Sequence, residues 1–276
     1  MKWAYIIDGS ESTYISDSKC RFLESEITEV NTKTNEQEIG GVDGVLVGSN
    51  TFDSFELTLK FYYNGVDNSD LMLFTEKIKK IIHTRSIMYV IHSDMPGRKY
   101  AFNSAKIEWE KITNSDMTFS IIFNCFKGYS ESLYDTDQFS LMSDNWQFES
   151  GLVPDDTISY NHTRTNFEIF NGSSDTINPR MRHRLKIYIQ LNAKNGFRLV
   201  NKTTGDVFEY KKEIDINTPL TLEGGYPFLY VNTSKIRCGR STNHGIITLA
   251  PGYNKFEIWG SASDVNIKFI FPFIYR

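Results

Sequence analysis

The chain has 276 residues, of which 40% are hydrophobic and 14% aromatic, enough to form one large or two ordinary domains. Its formal net charge at pH 7 is −4, which argues against a dedicated nucleic-acid-binding protein, because such proteins usually carry a clear basic surface. Aromatic residues suit half-buried strands, so this composition favours sheet over helix.

Alternation with period two is the strongest pattern in the first half of the chain. Apolar or aromatic residues occupy every second position of Ser54–Tyr63 and of Asp116–Lys127, which predicts two half-buried strands. Shorter strands are predicted at Trp3–Ile7, Arg21–Val30, Ile87–His92 and Lys99–Glu110. A turn at Met95–Arg98 joins the last two, since Pro and Gly there suit its central positions.

One segment of the first half has helical periodicity. Apolar residues recur at helical spacing between Leu71 and Ile82, which predicts a helix over about 69–83 with one apolar stripe. Asn68 or Ser69 is expected to cap its N-terminus.

Residues 128–163 are rich in Ser, Asp, Asn, Tyr and Gly, and the apolar alternation fades there. We therefore expect a first domain over 1–130, a linker over 131–155 and a second domain over 156–276. Short strands and turns at roughly ten-residue spacing fill the second domain, which is typical of a β-sandwich.

Signatures of catalysis or metal binding are missing. Cys20, Cys125 and Cys238 lie far apart without a CxxC pair, which predicts reduced thiols in a cytoplasm. The five histidines form no HExxH motif, and no P-loop, GxGxxG or GxSxG occurs. No catalytic residue, metal or cofactor is therefore predicted, although a carboxylate pair of the glycosidase type stays open. The apolar stretch Met1–Ile7 is too short for a signal peptide, and no run is long enough to insert into a membrane.

A cationic stripe and a group of aromatic residues leave alternatives open in the second domain. Basic residues occupy every second position of one segment and would form one face of a strand: Arg180, Arg182, Arg184 and Lys186. This face could be solvated, could dock an acidic partner, or could contact nucleic acid. Four aromatic residues could stack on sugar rings in a carbohydrate-binding module: Trp146, Tyr226, Tyr230 and Trp259. Packing in the core is the preferred interpretation for each of them, above all for Trp259.

Four motifs follow one another along the chain. Glu38–Leu46 contains a G-x-D-G turn before a strand, and Met95–Tyr100 leads into another strand. Asn201–Gly205 and Leu249–Asn254 read N-x-T-T-G and L-x-P-G-x-N. Each motif is weak alone, but in this order and spacing they resemble the distal tail protein family of siphophages, often called Dit, over nearly the whole chain.

The resemblance implies a mainly β fold with one helix, in which 1–130 is a ring-forming domain and 156–276 a galectin-like β-sandwich. Six copies would form a hub ring at the tail tip or baseplate, as one ring or as two. The ring would join the tail tube to the tail-associated lysin and to receptor-binding or side proteins. DNA would pass through without specific binding, and the non-enzymatic chain would be made in the cytoplasm of the bacterial host.

Two turns and one strand end are the expected ring or partner contacts. Tyr packs and hydrogen-bonds well at interfaces, and turns can shape a contact between copies. The expected contact residues are Gly41, Asp43, Gly44, Tyr62, Tyr63, Pro96, Gly97 and Arg98.

Overall fold

The computed structural model describes residues 2–139, 158–232 and 234–276, and the chain divides into two compact units. The first unit comprises Met1–Ser130 with Arg276, and the second comprises Glu131–Tyr275. Antiparallel strands dominate both, and the described residues contain one α-helix. The predicted fold class, mainly β with one helix, is therefore confirmed. No helix in the described ranges is long and apolar enough to cross a bilayer.

The first unit contains twelve strands and the helix. In chain order they are β1 (Ala4–Asp8), β2 (Glu11–Tyr14), β3 (Cys20–Ile27), β4 (Thr32–Lys33), β5 (Glu36–Glu38), β6 (Val45–Val47), β7 (Thr51–Phe52), β8 (Phe55–Asn64), α1 (Asn68–Ile82), β9 (Met88–His92), β10 (Arg98–Phe102), β11 (Ser104–Lys111) and β12 (Asp116–Cys125).

Two sheets enclose the core of the first unit. One has the strand order β2-β1-β9-β10 within this unit, and the other β11-β12-β8-β3. The alternation predicted for β8 and β12 is confirmed, because every second side chain of both strands is buried. Phe102 of β10 lies 4.7 Å from Phe123 of β12 between ring centroids, so the two sheets pack through aromatic rings.

Helix α1 covers one end of this core. Its buried residues are Leu71, Phe74, Ile78 and Ile82, and the Phe74 ring stacks on Tyr63 at 3.7 Å between centroids. The predicted cap is wrong by one or two residues: the carboxylate of Asp67 accepts from the Asp70 N–H at 2.8 Å, so the helix begins at Asn68. Asp can accept this bond at an extended position, which Asp67 adopts.

The second unit contains the other strands that the structure describes. They are β13 (Ser130–Ser132), β14 (Asn161–His162), β15 (Asn166–Asn171), β16 (Lys186–Asn192), β17 (Phe197–Asn201), β18 (Val207–Tyr210), β19 (Leu220–Glu223), β20 (Tyr226–Val231), β21 (Ser234–Arg237), β22 (Gly252–Trp259), β23 (Ser263–Ile270) and β24 (Ile274–Tyr275). Short 3₁₀ turns lie at Thr136–Gln138, Pro179–Met181 and Gly239–Ser241.

Two antiparallel sheets of the second unit face each other. Their strand orders are β14-β23-β16-β19-β20-β21 and β15-β22-β17-β18. Phe256 of β22 lies 4.9 Å from Phe269 of β23, and Phe167 of β15 lies 6.0 Å from the same ring, between centroids. The apolar faces of both sheets therefore meet in one sandwich core.

Several strand boundaries differ from those that the alternation predicts. The strand predicted at Lys99–Glu110 is two strands, β10 and β11, which belong to different sheets. Residues 131–139 lie in the second unit, where the Thr136 N–H donates to the Phe271 carbonyl at 3.0 Å. The rest of the predicted linker up to residue 155 lies outside the described residues, which resume at residue 158.

A buried histidine makes the first unit sensitive to acid. His92 is fully buried between Phe22 and Tyr100, and neither of its ring nitrogens has a hydrogen-bond partner among the described residues. Burial lowers the pKa of His92 to about 4, since the charged imidazolium would lose its hydration. The unfolded chain therefore binds one more proton than the folded chain between pH 6.5 and pH 4.

We predict that protonation of His92 lowers the unfolding free energy of the wild type by about 3 kcal/mol as the pH falls from 7 to 4. This value follows from the lowered pKa of His92, because each unit of difference between the folded and unfolded pKa corresponds to about 1.36 kcal/mol. The His92→Phe variant keeps an aromatic ring between Phe22 and Tyr100 but does not titrate. Its unfolding free energy should fall less steeply over that range, as measured by urea denaturation at several pH values. Parallel curves for both proteins would contradict the assignment.

Candidate assembly surface

The pairing of β3 with β8 continues beyond the sheet as one long hairpin. Ile27 pairs with Leu57 in the sheet, and the pairing then passes through β4–β7 and β5–β6 with a one-residue shift near Asn35. We call residues 31–52 the hairpin arm. At about 3.3 Å per residue the arm extends roughly 30 Å from its base. A salt bridge of 2.6 Å joins Lys33 and Asp53 at the base.

The tip of the hairpin arm contains three of the predicted contact residues. Gly41, Asp43 and Gly44 all lie in the exposed loop between β5 and β6. Both glycines have φ near +84°, a conformation that residues with a Cβ rarely adopt, so the G-x-x-G spacing is what allows the chain to reverse here. Asp43 is exposed beside Glu36 and Glu38, which makes the distal part of the arm acidic.

The hairpin arm exposes apolar side chains along most of its length. Every residue from 31 to 50 is exposed, and Leu46 and Val47 have 59% and 64% of their surface accessible. The exposed apolar side chains of the arm are Ile39, Val42, Val45, Leu46, Val47 and Phe52. Several exposed apolar side chains on one short segment are typical of an interaction surface.

Only one of the two tyrosines at the end of β8 is near the surface. Tyr62 is half-buried, and its hydroxyl donates to Asp116 at 2.7 Å. Together with bonds from Thr113 and Asn64, this bond holds the pKa of Asp116 well below its usual value. Tyr63 is buried against Phe74 in the core, so in the single chain only Tyr62 of the two predicted contact residues is accessible. Neighbouring residues of a strand point to opposite faces, and only one face of β8 is covered by the core.

The turn before β10 is also less accessible than the sequence suggests. The Arg98 N–H donates to the Met95 carbonyl at 3.1 Å, which confirms a tight turn. Pro96 is half-buried, but Gly97 and Arg98 are buried. The prediction of Gly97 and Arg98 as contact residues is therefore wrong for the surface of the single chain, because the turn folds against the body of the protein.

The cationic stripe does not lie on one strand. Arg180 belongs to a 3₁₀ turn, Arg182 has a left-handed backbone with φ of 64°, and β16 begins only at Lys186. Arg184 forms an ion pair with Asp135, and Lys186 lies 3.6 Å from Glu223. The prediction of one cationic strand face is therefore wrong, since Asn178 and Pro179 start a turn where the alternation predicts a strand.

Two of the four candidate sugar-stacking residues are exposed. Tyr226 and Trp259 have 55% and 46% of their surface accessible, Tyr230 is half-buried, and Trp146 lies outside the described residues. The expectation that Trp259 packs in the core is wrong. Strand β22 buries Phe256 and Ile258, which leaves Trp259 on the opposite, solvent-facing side.

The described residues contain no group of three or more His, Cys, Asp or Glu side chains that could hold a metal ion. Cys20, Cys125 and Cys238 are unbridged, and burial raises the pKa of both the Cys20 and Cys125 thiols to about 12. Such thiols stay protonated and unreactive at neutral pH.

Comparison with known proteins agrees with the geometry. Residues 7–125 match the family of the phage tail protein RIFT-related domain. The match falls within the first unit, which is therefore similar to a phage tail domain. No curated protein sequence matches the chain. The resemblance to siphophage distal tail proteins is confirmed, and the family match supports a structural role in a phage tail or baseplate.

Solved structures match the chain at low sequence identity. The Dit protein of phage SPP1, described as a paradigm of hub adsorption apparatus in phages infecting Gram-positive bacteria, has a TM-score of 0.66 and 13% identity over 100% of both chains. Two structures of the phage p2 baseplate in its activated conformation, with strontium and with calcium, have TM-scores of 0.45 and 0.46, each with 11% identity over 98% of both chains.

The sequence motif identified the arm's turn but not the apolar surface beside it. Val45, Leu46 and Val47 form a consecutive apolar run, which is not the alternation of a strand with one buried face. This consecutive run is the feature of the sequence from which a strand with both faces outside the core could have been predicted.

We predict that Tyr63→Ala lowers the free energy of unfolding by about 3–5 kcal/mol, because it removes a buried ring stacked on Phe74. Tyr62→Ala should cost about 1 kcal/mol, the scale of one hydrogen bond to Asp116. Chemical denaturation of both variants measures the difference. Equal losses would contradict the assignment of Tyr63 to the core and Tyr62 to the surface.

Proposed function

We propose that this chain is a distal tail protein that forms a hexameric hub ring at the tail tip or baseplate of a long-tailed phage. Residues 1–130 are proposed to form the ring. The second unit, Glu131–Tyr275, would form a galectin-like β-sandwich that projects outward from the ring. The hairpin arm of each copy would dock on the neighbouring copy.

The main observation that supports this proposal is the exposed apolar surface of the hairpin arm. A two-stranded ribbon is marginally stable in water unless something covers it. The arm nevertheless places Val42, Leu46 and Val47 in solvent, where each loses the free energy that burial would contribute. A second copy of the chain supplies the missing cover at every position of a closed ring.

The geometry of an arm favours a ring over a symmetric dimer. An arm that docks on a different patch of its neighbour makes a heterologous contact, and such contacts close into rings when the rotation fits. Glu36, Glu38 and Asp43 make the distal arm acidic, so the accepting patch should carry cations. This complementarity would fix the direction in which the copies follow one another.

The proposed partners follow from the position of a hub. One face of the ring would meet the tail tube and the other the tail-associated lysin, while the outer domains would hold receptor-binding or side proteins. The net charge of −4 favours passage of DNA without specific binding, since phosphates are repelled by carboxylates. Neither a cofactor nor an enzymatic activity is part of this proposal.

The experiment compares the wild type with a double variant of the arm, Leu46→Gln/Val47→Thr. Light scattering on a sizing column and negative-stain imaging should show a ring of six copies, or two stacked rings, for the wild type. The arm variant should be monomeric, since its contact loses two apolar side chains. Because both residues are exposed in the single chain, the variant should keep the far-ultraviolet circular dichroism spectrum of the wild type, which shows that it is folded.

The matched control is Met72→Gln/Leu73→Gln, which replaces two exposed apolar residues of α1 outside the arm. This variant should retain the ring. A wild type that stays monomeric at every concentration would refute the self-assembled ring, and an arm variant that still forms rings would refute the arm as its contact.

A further inference from the structure

The outer face of the four-stranded sheet in the second unit carries a group of side chains that the hub does not use. Trp259 on β22 lies directly across from Arg198 on β17, and Arg198 lies across from Glu209 on β18. The row therefore crosses three strands in register. An open cleft of about 260 Å³ adjoins it, lined by Asn195, Gly196, Phe197, Arg198, Glu209, Tyr210, Trp259 and Gly260.

The Trp259 ring is held in place although it is nearly half exposed. Its Nε1–H donates to Glu257 at 2.7 Å, and the Lys202 ammonium lies 5.6 Å from the ring centroid. Lys202 also lies 3.4 Å from the Glu257 carboxylate. The indole hydrogen bond lowers the pKa of Glu257, which keeps this carboxylate charged and the bond in place. A fixed aromatic ring loses little side-chain entropy when a ligand covers it.

The polar groups beside the ring are also preorganised. The Arg198 Nε donates to Glu209 at 3.0 Å, so both planar groups are oriented before a ligand arrives. Gly196 keeps the near wall of the cleft open: its φ is +75°, and a Cβ there would approach the Tyr210 carbonyl oxygen to 2.1 Å. A larger residue at position 196 would therefore displace the strand that carries Glu209.

The charge of the surface around Trp259 and the size of the cleft indicate which class of ligand could bind there. Two cations, Arg198 and Lys202, balance two carboxylates, Glu209 and Glu257, so the surface has no net attraction for a polyanion. Protein interfaces are depleted of charged residues at their centres, which argues against a second copy covering this ring. A cleft smaller than the ~300–1,000 Å³ that encloses drug-sized ligands suits one small ring.

We propose that Trp259, Arg198 and Glu209 form a binding site for an uncharged saccharide. A sugar ring presents a row of C–H groups on one face, which the negative face of the indole attracts. Its hydroxyl groups both donate and accept, and they match the Arg198 donors and the Glu209 acceptors. The inference goes beyond the proposed hub and does not depend on ring formation.

The test uses the full chain and a panel of soluble probes: glucose, galactose, N-acetylglucosamine and their oligomers up to four units. Saturation-transfer NMR and tryptophan fluorescence should show saturable binding of at least one probe. Trp259→Ala should weaken that binding at least tenfold, and Trp259→Phe should weaken it less because a smaller ring remains. The double variant Arg198→Gln/Glu209→Gln should weaken it several-fold.

Tyr226→Ala is the matched control, since Tyr226 is an exposed aromatic residue of the same unit outside this cleft. It should leave saccharide binding unchanged. The proposal is overturned if no probe binds, if binding survives in Trp259→Ala, or if Trp259→Ala disperses an oligomer instead, which would make Trp259 a protein contact. The proposed hub ring is tested separately by the oligomeric state of the Leu46→Gln/Val47→Thr variant, so the failure of one proposal can be distinguished from the failure of the other.

Discussion

Strands β3 and β8 can bury side chains only where a second sheet lies against them. Over Phe55–Tyr63 the second sheet and α1 cover one face, and the alternating residues Leu57, Leu59 and Phe61 are completely buried. Beyond the base of the hairpin arm the same pairing continues, and every residue from 31 to 50 is exposed. The hydrophobic effect therefore stabilises the buried half of the hairpin, while the exposed apolar side chains of the arm gain little from it within the single chain.

This division separates residues that hold the fold from residues available for assembly. Tyr63 and Tyr62 are adjacent, yet one stacks on Phe74 and the other hydrogen-bonds to Asp116 near the surface. Arg98 lies in the turn expected at an interface but is buried. The proposed assembly contact therefore lies in a segment that contributes little to the core.

The second unit also separates residues that form the core from residues that are exposed for contacts. Its sandwich core takes Phe256 and Ile258 from β22, and the opposite face of the same strand holds Trp259 among paired charges. A large aromatic residue on a solvent-facing strand position costs hydrophobic free energy unless it acquires a contact. The two units therefore expose different kinds of surface, an apolar arm in the first and a polar platform with one indole in the second.

The sequence by itself determined the mainly β class, the helix and the reversal at Gly41 and Gly44, because alternation, helical spacing and positive φ are local properties. It also indicated the family through the order of short motifs. Only the tertiary structure decided which face of a strand is covered, and hence that Tyr63 is buried and Trp259 exposed. It likewise showed that Arg180 and Arg182 lie in a turn. Burial depends on what packs against a residue from distant parts of the chain, and the period of a strand does not carry that information.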